Sequence, residues 1–135
     1  MWTYVQKTGE LLRDGRHEAF GYAGFDDPIS AQQGKNNPDL QTVHEVGPIP
    51  IDKYSIGGHE DTLKHGPCVL PLTPDPANQM FGRDGFLIHG DSKHETGTAS
   101  RGCIIMDGPV RNDIAESGDR SLEVISGEVD ETRSA

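Results

Sequence analysis

Residues 86–106, FLIHGDSKHETGTASRGCIIM, contain two short apolar runs separated by a polar loop. The first run ends at His89 and the second begins at Cys103. Short apolar runs bounded by turn residues are typical of buried β-strands. If the two strands are adjacent, the loop between them brings the imidazole of His89 next to the thiol of Cys103.

A cysteine beside a histidine is an arrangement that nucleophilic catalysis uses. A free thiol is only a few per cent ionised at neutral pH, and an adjacent imidazole lowers its pKa. We therefore predict that Cys103 is a nucleophile and His89 its base. We expect Gly102 to let a substrate approach the backbone, and the amides of Gly102 and Cys103 to stabilise an oxyanion. Taken alone, a cysteine that opens an apolar run is more often an inert core residue.

The rest of the chain predicts a mainly β fold. Short apolar runs at 54–56, 68–72 and 122–125 predict further strands, and residues 2–13 predict a hairpin. The 17 glycines and nine prolines favour a loop-rich β structure over a helical bundle. The 135-residue length is that of one domain, with a core over residues 2–125 and a polar tail over residues 126–135.

Two other segments have distinct patterns. Residues 108–118 predict one short helix, with Asp107 as its cap, Pro109 in its first turn and Gly118 just past its end. Residues 26–50 are rich in Pro, Asn, Gln and Gly, and they predict a long loop with one helical turn near Leu40. A loop of that length is often functional, and we expect it to form one wall of a cleft.

Charge and composition exclude several classes of function. Lys and Arg number 12 against 22 Asp and Glu, and the resulting net charge of −10 argues against nucleic acid as a partner. The sequence has no apolar stretch of the roughly 20 residues that a membrane span needs, and no signal segment is recognisable after Met1. With only Cys68 and Cys103, a disulfide framework is excluded, and we expect Cys68 to be a buried strand residue.

The segment quoted first resembles the YkuD-like catalytic domain of L,D-transpeptidases. That domain has a His-Gly after a strand, then a spacer, then Ser-x-Gly-Cys and an apolar run. The corresponding residues here are His89-Gly90 and Ser100-Arg101-Gly102-Cys103. Upstream, residues 47–56 (GPIPIDKYSI) are similar to the Pro-x-Gly-x-Tyr-x-Ile element of the same domain.

Three further segments narrow the resemblance to the type VI secretion L,D-transpeptidase effectors. They are the hairpin at residues 2–9, KNNPD at residues 35–39 and MFGRDGFLIHGD at residues 80–91. The similarity extends over residues 2–125. It implies an L,D-transpeptidase-like β-sandwich or barrel with one or two short helices and long loops.

The resemblance also implies a reaction. Cys103 attacks the carbonyl of the diamino acid at position three of a peptidoglycan stem peptide, releasing the terminal D-alanine. Water, a D-amino acid or a second stem then resolves the acyl-enzyme. In the family, the main-chain carbonyl of the residue after the histidine, here Gly90, orients the imidazole, and the motif serine, here Ser100, supports the loop. No metal or cofactor is expected.

This sequence departs from the family pattern at three positions, the first being Asp52, where the Pro-x-Gly-x-Tyr element usually has glycine. Arg101 stands where histidine is common, and Ile105 stands where arginine often occurs. Recognition of the stem is therefore expected to involve a set of other polar residues: Ser100, Arg101, Arg83, Arg111 and Asp91. Some relatives place a tyrosine hydroxyl in the oxyanion hole, but no tyrosine lies between Tyr54 and His89, so we expect backbone amides there.

The resemblance implies partners and a location as well. An effector of this kind is delivered by the type VI secretion machinery without a signal peptide, and it acts on peptidoglycan in the periplasm of target bacteria. The producing cell then needs a cognate immunity protein.

Two alternatives stay open on the sequence alone. The cluster HGDSKH at residues 89–94, together with His65, could form the zinc site of a peptidoglycan peptidase. The chain could instead be a non-catalytic module that binds the cell wall or a partner protein, with an inert thiol.

Overall fold

The computed structural model describes residues 1–128, so most of the predicted polar tail at 126–135 lies outside the described residues. In the described part, ten strands and one α-helix follow in chain order. They are β1 (Trp2–Val5), β2 (Glu10–Arg13), β3 (Arg16–Phe20), β4 (Tyr22–Ala23), β5 (Asp52–Ile56), β6 (Glu60–Thr62), β7 (Gly66–Pro74), β8 (Leu87–His89), β9 (Ile104–Ile105), α1 (Gly108–Ser117) and β10 (Ser121–Ile125).

The strands form a nearly closed, barrel-like sheet. Its strand order is β3-β2-β1-β10-β5-β7-β8-β9-β4, with β6 paired to β7. The pairs β1–β10 and β8–β9 are parallel and the other pairs are antiparallel. The mainly β prediction with a short helix is confirmed.

Gly21 explains how the sheet nearly closes. It joins β3 and β4, which lie at opposite ends of the strand order although they are almost continuous in sequence. The backbone bends there against the neighbouring strand, and a Cβ at Gly21 would overlap the carbonyl oxygen of Ile105. A glycine therefore allows a close backbone approach at the corner of the barrel.

The predicted N-terminal hairpin is present as β1 and β2. Trp2, Tyr4 and Gln6 are buried on its inner face, as the alternation predicts. Gln6 donates from Nε2 to the carbonyl oxygen of Ile49 at 2.8 Å. The hairpin is therefore fastened to the end of the long loop.

Helix α1 spans Gly108–Ser117, as predicted, with a proline in its first turn and Gly118 at φ 71° after its end. The cap prediction is only half right. Asp107 occupies the N-cap position, but its side chain makes no capping hydrogen bond. The helix packs through Ile114 and through the buried side chain of Arg111.

The long loop contains one 3-10 turn at Pro38–Leu40, confirming the predicted helical turn. Cys68 does not follow its prediction: it lies on β7, but it is only partly buried and has a φ of 54°. Within residues 1–128, no helix has the length and apolar character of a membrane span.

Candidate active site

The parallel pairing of β8 with β9 brings the two ends of the motif together. Ile88 is level with Ile104, and His89 is level with Ile105. Cys103 directly precedes β9, so this pairing places it near Leu87, two residues before His89 on β8. Alternate residues of a strand share one face, so Leu87 and His89 project from the same face of the sheet, close to Cys103.

That face borders an open cleft of about 270 Å³. Both His89 and Cys103 line it. The remaining lining residues come from the long loop, the β6–β7 turn, the segment before β8 and the loop between β8 and β9: Glu45, Lys64, His65, Asp84, Gly85, Phe86, Leu87, Ala99 and Arg101. Glu45 belongs to residues 26–50, so this loop does form part of a cleft wall, as expected.

The imidazole of His89 is held in one tautomer. The ring is 3% exposed, and Nδ1 lies 2.9 Å from the carbonyl oxygen of Gly90. A carbonyl only accepts, so Nδ1 carries the proton and Nε2 of the neutral ring has a free lone pair. This is the contact that the family resemblance implies, and it leaves His89 able to accept a proton.

Gly90 also has a packing role beside its carbonyl. A Cβ at this position would lie 2.8 Å from Nη1 of Arg111. The guanidinium of Arg111 donates to three carbonyl oxygens, those of Met106, Cys68 and Pro67, at 2.7, 3.1 and 3.3 Å. Arg111 therefore ties α1 to β7 and to the end of β9, and its donors face main-chain oxygens.

Burial lowers the pKa of His89 below its usual value, and nearby His65 and Arg111 lower it further. The Gly90 carbonyl and the carboxylate of Asp91 act in the opposite direction. The net effect keeps the imidazole neutral near pH 7, the form that a general base requires.

Burial also raises the pKa of the Cys103 thiol. The amide of Leu87, the cations Arg83 and Lys64, and the amide of Cys103 itself partly oppose this effect. The expectation of a lowered thiol pKa is therefore not met, because desolvation outweighs the neighbouring charges. Near neutral pH the resting site holds a thiol and a neutral imidazole.

Ser100 organises the loop that precedes Cys103. Its hydroxyl donates to the carbonyl oxygen of Cys103 at 2.6 Å and accepts from the amides of Gly24 and Gly102 at 2.9 and 3.0 Å. The residue is fully buried, so the position is that of a loop support and not of a substrate contact.

Gly102 has a φ of 133°, and a Cβ there would lie 2.6 Å from Nη2 of Arg83 and 2.8 Å from Phe86. The space beside this glycine is filled by protein, which is a different reason for glycine from the expected approach of substrate. The Gly102 amide, expected as an oxyanion donor, is hydrogen-bonded to Ser100 in this structure.

Arg83 and Arg101 have contrasting surroundings. The guanidinium of Arg83 is buried and donates to four main-chain carbonyl oxygens, those of Gln41, Gly47, Pro48 and Arg101. It joins the long loop to the Cys103 loop. Arg101 is exposed at the cleft, with its guanidinium carbon 3.7 Å from the ring centroid of Phe25.

Asp91 was predicted to bind substrate, but its carboxylate forms several hydrogen bonds that hold the loop after β8. Its carboxylate accepts from the hydroxyl of Tyr22 at 2.6 Å and from the amides of Ser92 and Gly97. The Tyr22 hydroxyl also accepts from the amide of Ala99 at 2.9 Å. These bonds hold the loop that ends at Cys103.

The zinc alternative finds no ligand set in the described part of the chain. Across residues 1–128, no three His, Cys, Asp or Glu side chains come together as metal ligands. Asp91 is engaged in its loop, and His94 is exposed. His65, however, contributes to the cleft in a way that the sequence analysis missed, because its ring packs against that of His89.

The chain is a mainly β protein whose nearly closed barrel carries a cysteine and a histidine on one cleft. The family model of the Tlde1 domain matches residues 30–125, which include both His89 and Cys103. The chain belongs to this family of type VI secretion effectors of the L,D-transpeptidase kind. No curated protein and no solved structure matches the chain.

Proposed function

We propose that the protein is an antibacterial effector that cleaves peptidoglycan tetrapeptide stems between the diamino acid at position three and D-alanine at position four. One observation carries the proposal. His89, with Nδ1 fixed on the carbonyl of Gly90, lines the same cleft as Cys103. A base with a fixed tautomer on the same cleft as a thiol can assemble with it around a bound substrate, as nucleophilic catalysis requires.

The first half-reaction starts from neutral partners. As Sγ of Cys103 attacks the carbonyl carbon of the diamino acid, Nε2 of His89 takes the thiol proton, and a tetrahedral oxyanion forms. Collapse of this intermediate breaks the amide bond. The imidazolium returns the proton to the leaving nitrogen, so D-alanine departs as an amine and a thioester remains on Cys103.

The second half-reaction depends on the acceptor. Water, activated by His89, releases the tripeptide stem and makes the protein an L,D-carboxypeptidase. A free D-amino acid gives exchange, and the amine of a neighbouring stem gives a cross-link. In each case the acceptor loses a proton to Nε2 and the thiol is regenerated.

We assign stabilisation of the oxyanion to the backbone amide of Cys103. The amides of Leu87 and Cys103 lower the pKa of the Cys103 thiol, so both lie close to Sγ, the atom that the substrate carbonyl must approach. Gly102 contributes through its conformation at φ 133°, which sets the direction of the following amide.

Among the arginines, Arg101 is the one we assign to the carboxylates of the stem. It is exposed at the cleft, whereas the donors of Arg83 and Arg111 face main-chain carbonyls. An arginine binds a carboxylate through two parallel hydrogen bonds and so also orients it. Arg83, Arg111, Ser100 and Asp91 act through the positions of the loops that they hold.

The direct test incubates the purified protein with tetrapeptide muropeptides and identifies the products by mass spectrometry. Wild type is expected to yield tripeptide stems, or exchanged stems when a D-amino acid is supplied. Cys103→Ala and His89→Ala should each abolish turnover, with losses that do not add in the double variant. Cys68→Ala is the matched control and should retain activity. Turnover by Cys103→Ala at the wild-type rate would overturn the mechanism.

The proposal includes the partners that this activity requires. Delivery by the type VI machinery brings the protein to the periplasm of a target cell, where its substrate lies. A cognate immunity protein then protects the producing cell from injection by its sisters.

A further inference from the structure

A second hollow of about 90 Å³ adjoins the cleft at Cys103. Four residues, the junction, line both spaces: Glu45, Asp84, Phe86 and Arg101. A ligand group that extends from Cys103 toward the second hollow contacts these residues.

The junction carries charges of both signs. The side chains of Glu45 and Asp84 are exposed, and neither carboxylate forms an ion pair with another side chain among residues 1–128. Arg101 is exposed on the same space, with its guanidinium carbon 3.7 Å from the ring centroid of Phe25. Two carboxylates and one guanidinium thus line both spaces without forming an ion pair with one another. Arg83 also lines the second hollow, but its donors face main-chain carbonyls.

The backbone holds Glu45 in one position. Its φ is 65°, a left-handed conformation that persists only where the surroundings enforce it. Here the loop is fixed next to Glu45 by Arg83, whose guanidinium donates to Gly47 and Pro48.

We infer that the junction binds a zwitterionic amino-acid head, with the ammonium between Glu45 and Asp84 and the carboxylate on Arg101. The inference rests on the proposed function for placing the reacting carbonyl at Cys103. Two sources supply this chemistry: the free end of the position-three diamino acid, or a free D-amino acid that enters as acceptor.

The test compares four synthetic tetrapeptide stems that differ only at position three: diaminopimelate, its side-chain amide, lysine and Nε-acetyl-lysine. If the stem supplies the head, kcat/KM falls about tenfold when the side-chain carboxylate is amidated and about tenfold when the lysine amine is acetylated. Arg101→Gln should erase the first difference, and the double variant Glu45→Gln with Asp84→Asn should erase the second.

A second arm distinguishes the two sources. If the head is that of a free acceptor, the same variants raise KM for D-amino acid in the exchange reaction and leave the ratios between the four stems unchanged. Glu18→Gln on β3 and Lys93→Gln in the loop after β8 remove exposed charges away from the junction and serve as controls. Ratios and acceptor KM that both stay at wild-type values in the junction variants would overturn the inference.

Failure of the proposed function is separable from failure of the inference. Binding of the four stems and of free D-alanine to Cys103→Ala, measured by calorimetry, needs no turnover. The zwitterionic ligand should bind about tenfold more tightly than its blocked forms, and the junction variants should remove that preference. Equal binding of charged and blocked ligands contradicts the junction even if every stem is cleaved.

Discussion

The imidazole rings of His65 and His89 are stacked, with centroids 4.2 Å apart and planes tilted by 34°. His65 lies in the turn between β6 and β7, where its amide donates to Oγ1 of Thr62 at 2.9 Å. Burial lowers the pKa of His65 itself, with a further decrease from Lys64. The turn therefore covers the proposed base with a second neutral ring.

Replacing His65 by alanine should shift the acidic limb of the kcat/KM profile to higher pH. The general base works as the neutral imidazole, so activity is lost as pH falls through the pKa of His89. Removing His65 opens His89 to water and removes a neighbour that lowers its pKa, so that pKa rises. Arg111, which also lowers it, and Asp91, which raises it, are unchanged in the variant.

His65→Phe is the matched control, because it keeps a ring over His89 without a titratable nitrogen. We expect its acidic limb to lie between those of wild type and His65→Ala, because the burial of His89 is kept and the effect of the second imidazole is lost. If His65→Ala lowers activity equally at every pH, then His65 does not influence the ionisation of His89.

Alkylation of Cys103 should be slow at neutral pH and should accelerate in the alkaline range. The thiolate is the reactive form, and burial raises the thiol pKa, so the thiolate appears only at higher pH. The measurement follows iodoacetamide labelling as a function of pH in the Cys68→Ala variant, in which Cys103 is the remaining thiol.

A thiolate–imidazolium pair predicts the reverse result. Labelling would then be fast below pH 7 and would slow strongly in His89→Ala. If the resting site holds a thiol and a neutral imidazole, His89→Ala should abolish turnover but change the labelling rate little. The labelling rate of His89→Ala therefore distinguishes the neutral pair from the ion pair.

Much of the sheet is readable from sequence because apolar runs mark its buried strands. β5, β7, β8 and β10 fall where those runs predict them. β3, β4 and β6 were not predicted. Strands β3 (RHEAF) and β6 (EDT) are polar, and β4 has only two residues. Such strands are formed by pairing with a neighbour, which a local pattern does not reveal.

The motif predicted that His89 and Cys103 lie together, and both line one cleft, but the sequence did not predict the contacts that tertiary structure decides. The sequence predicted that Arg83 and Arg111 bind the substrate, because a sequence shows the charge of a side chain but not its partners in the fold. In the fold their guanidinium groups face main-chain carbonyls. Nothing in the sequence indicated that His65 contacts His89, since only the β6–β7 turn brings the two rings together.

Ser100→Ala should reduce both stability and activity. It leaves the carbonyl of Cys103 and the amides of Gly24 and Gly102 without the hydroxyl that they share. Loss of partners for buried polar groups costs about 1 to 3 kcal/mol in the free energy of unfolding, measurable by urea denaturation. Ser55→Ala, at an exposed position on β5 whose hydroxyl makes no hydrogen bond within residues 1–128, is the control and should change stability by about 0.5 kcal/mol or less. Equal effects of the two substitutions would show that Ser100 has no special role.

Gly90→Ala should displace the contact that orients His89. The added Cβ would lie 2.8 Å from Nη1 of Arg111, which is held by its carbonyl partners and cannot yield freely. We expect a loss of about 1 to 3 kcal/mol in stability and of about tenfold to a hundredfold in kcat. Gly58→Ala is the control, because nothing lies within 4 Å of a Cβ there. Wild-type kcat in Gly90→Ala would contradict a positioning role for this residue.

Toxicity should depend on compartment and on Cys103. The proposed substrate lies outside the cytoplasm, so production in the cytoplasm should be harmless, whereas export by an attached periplasmic signal peptide should lyse or deform the cells. Cys103→Ala should be harmless in both compartments, with immunoblots showing equal amounts of protein. Co-production of the cognate immunity protein should restore growth. The net charge of −10 favours a basic surface on that protein, and their association should then slow as salt is raised. Equal toxicity in both compartments, or toxicity that persists in Cys103→Ala, would refute the effector function even if stem cleavage were observed in vitro.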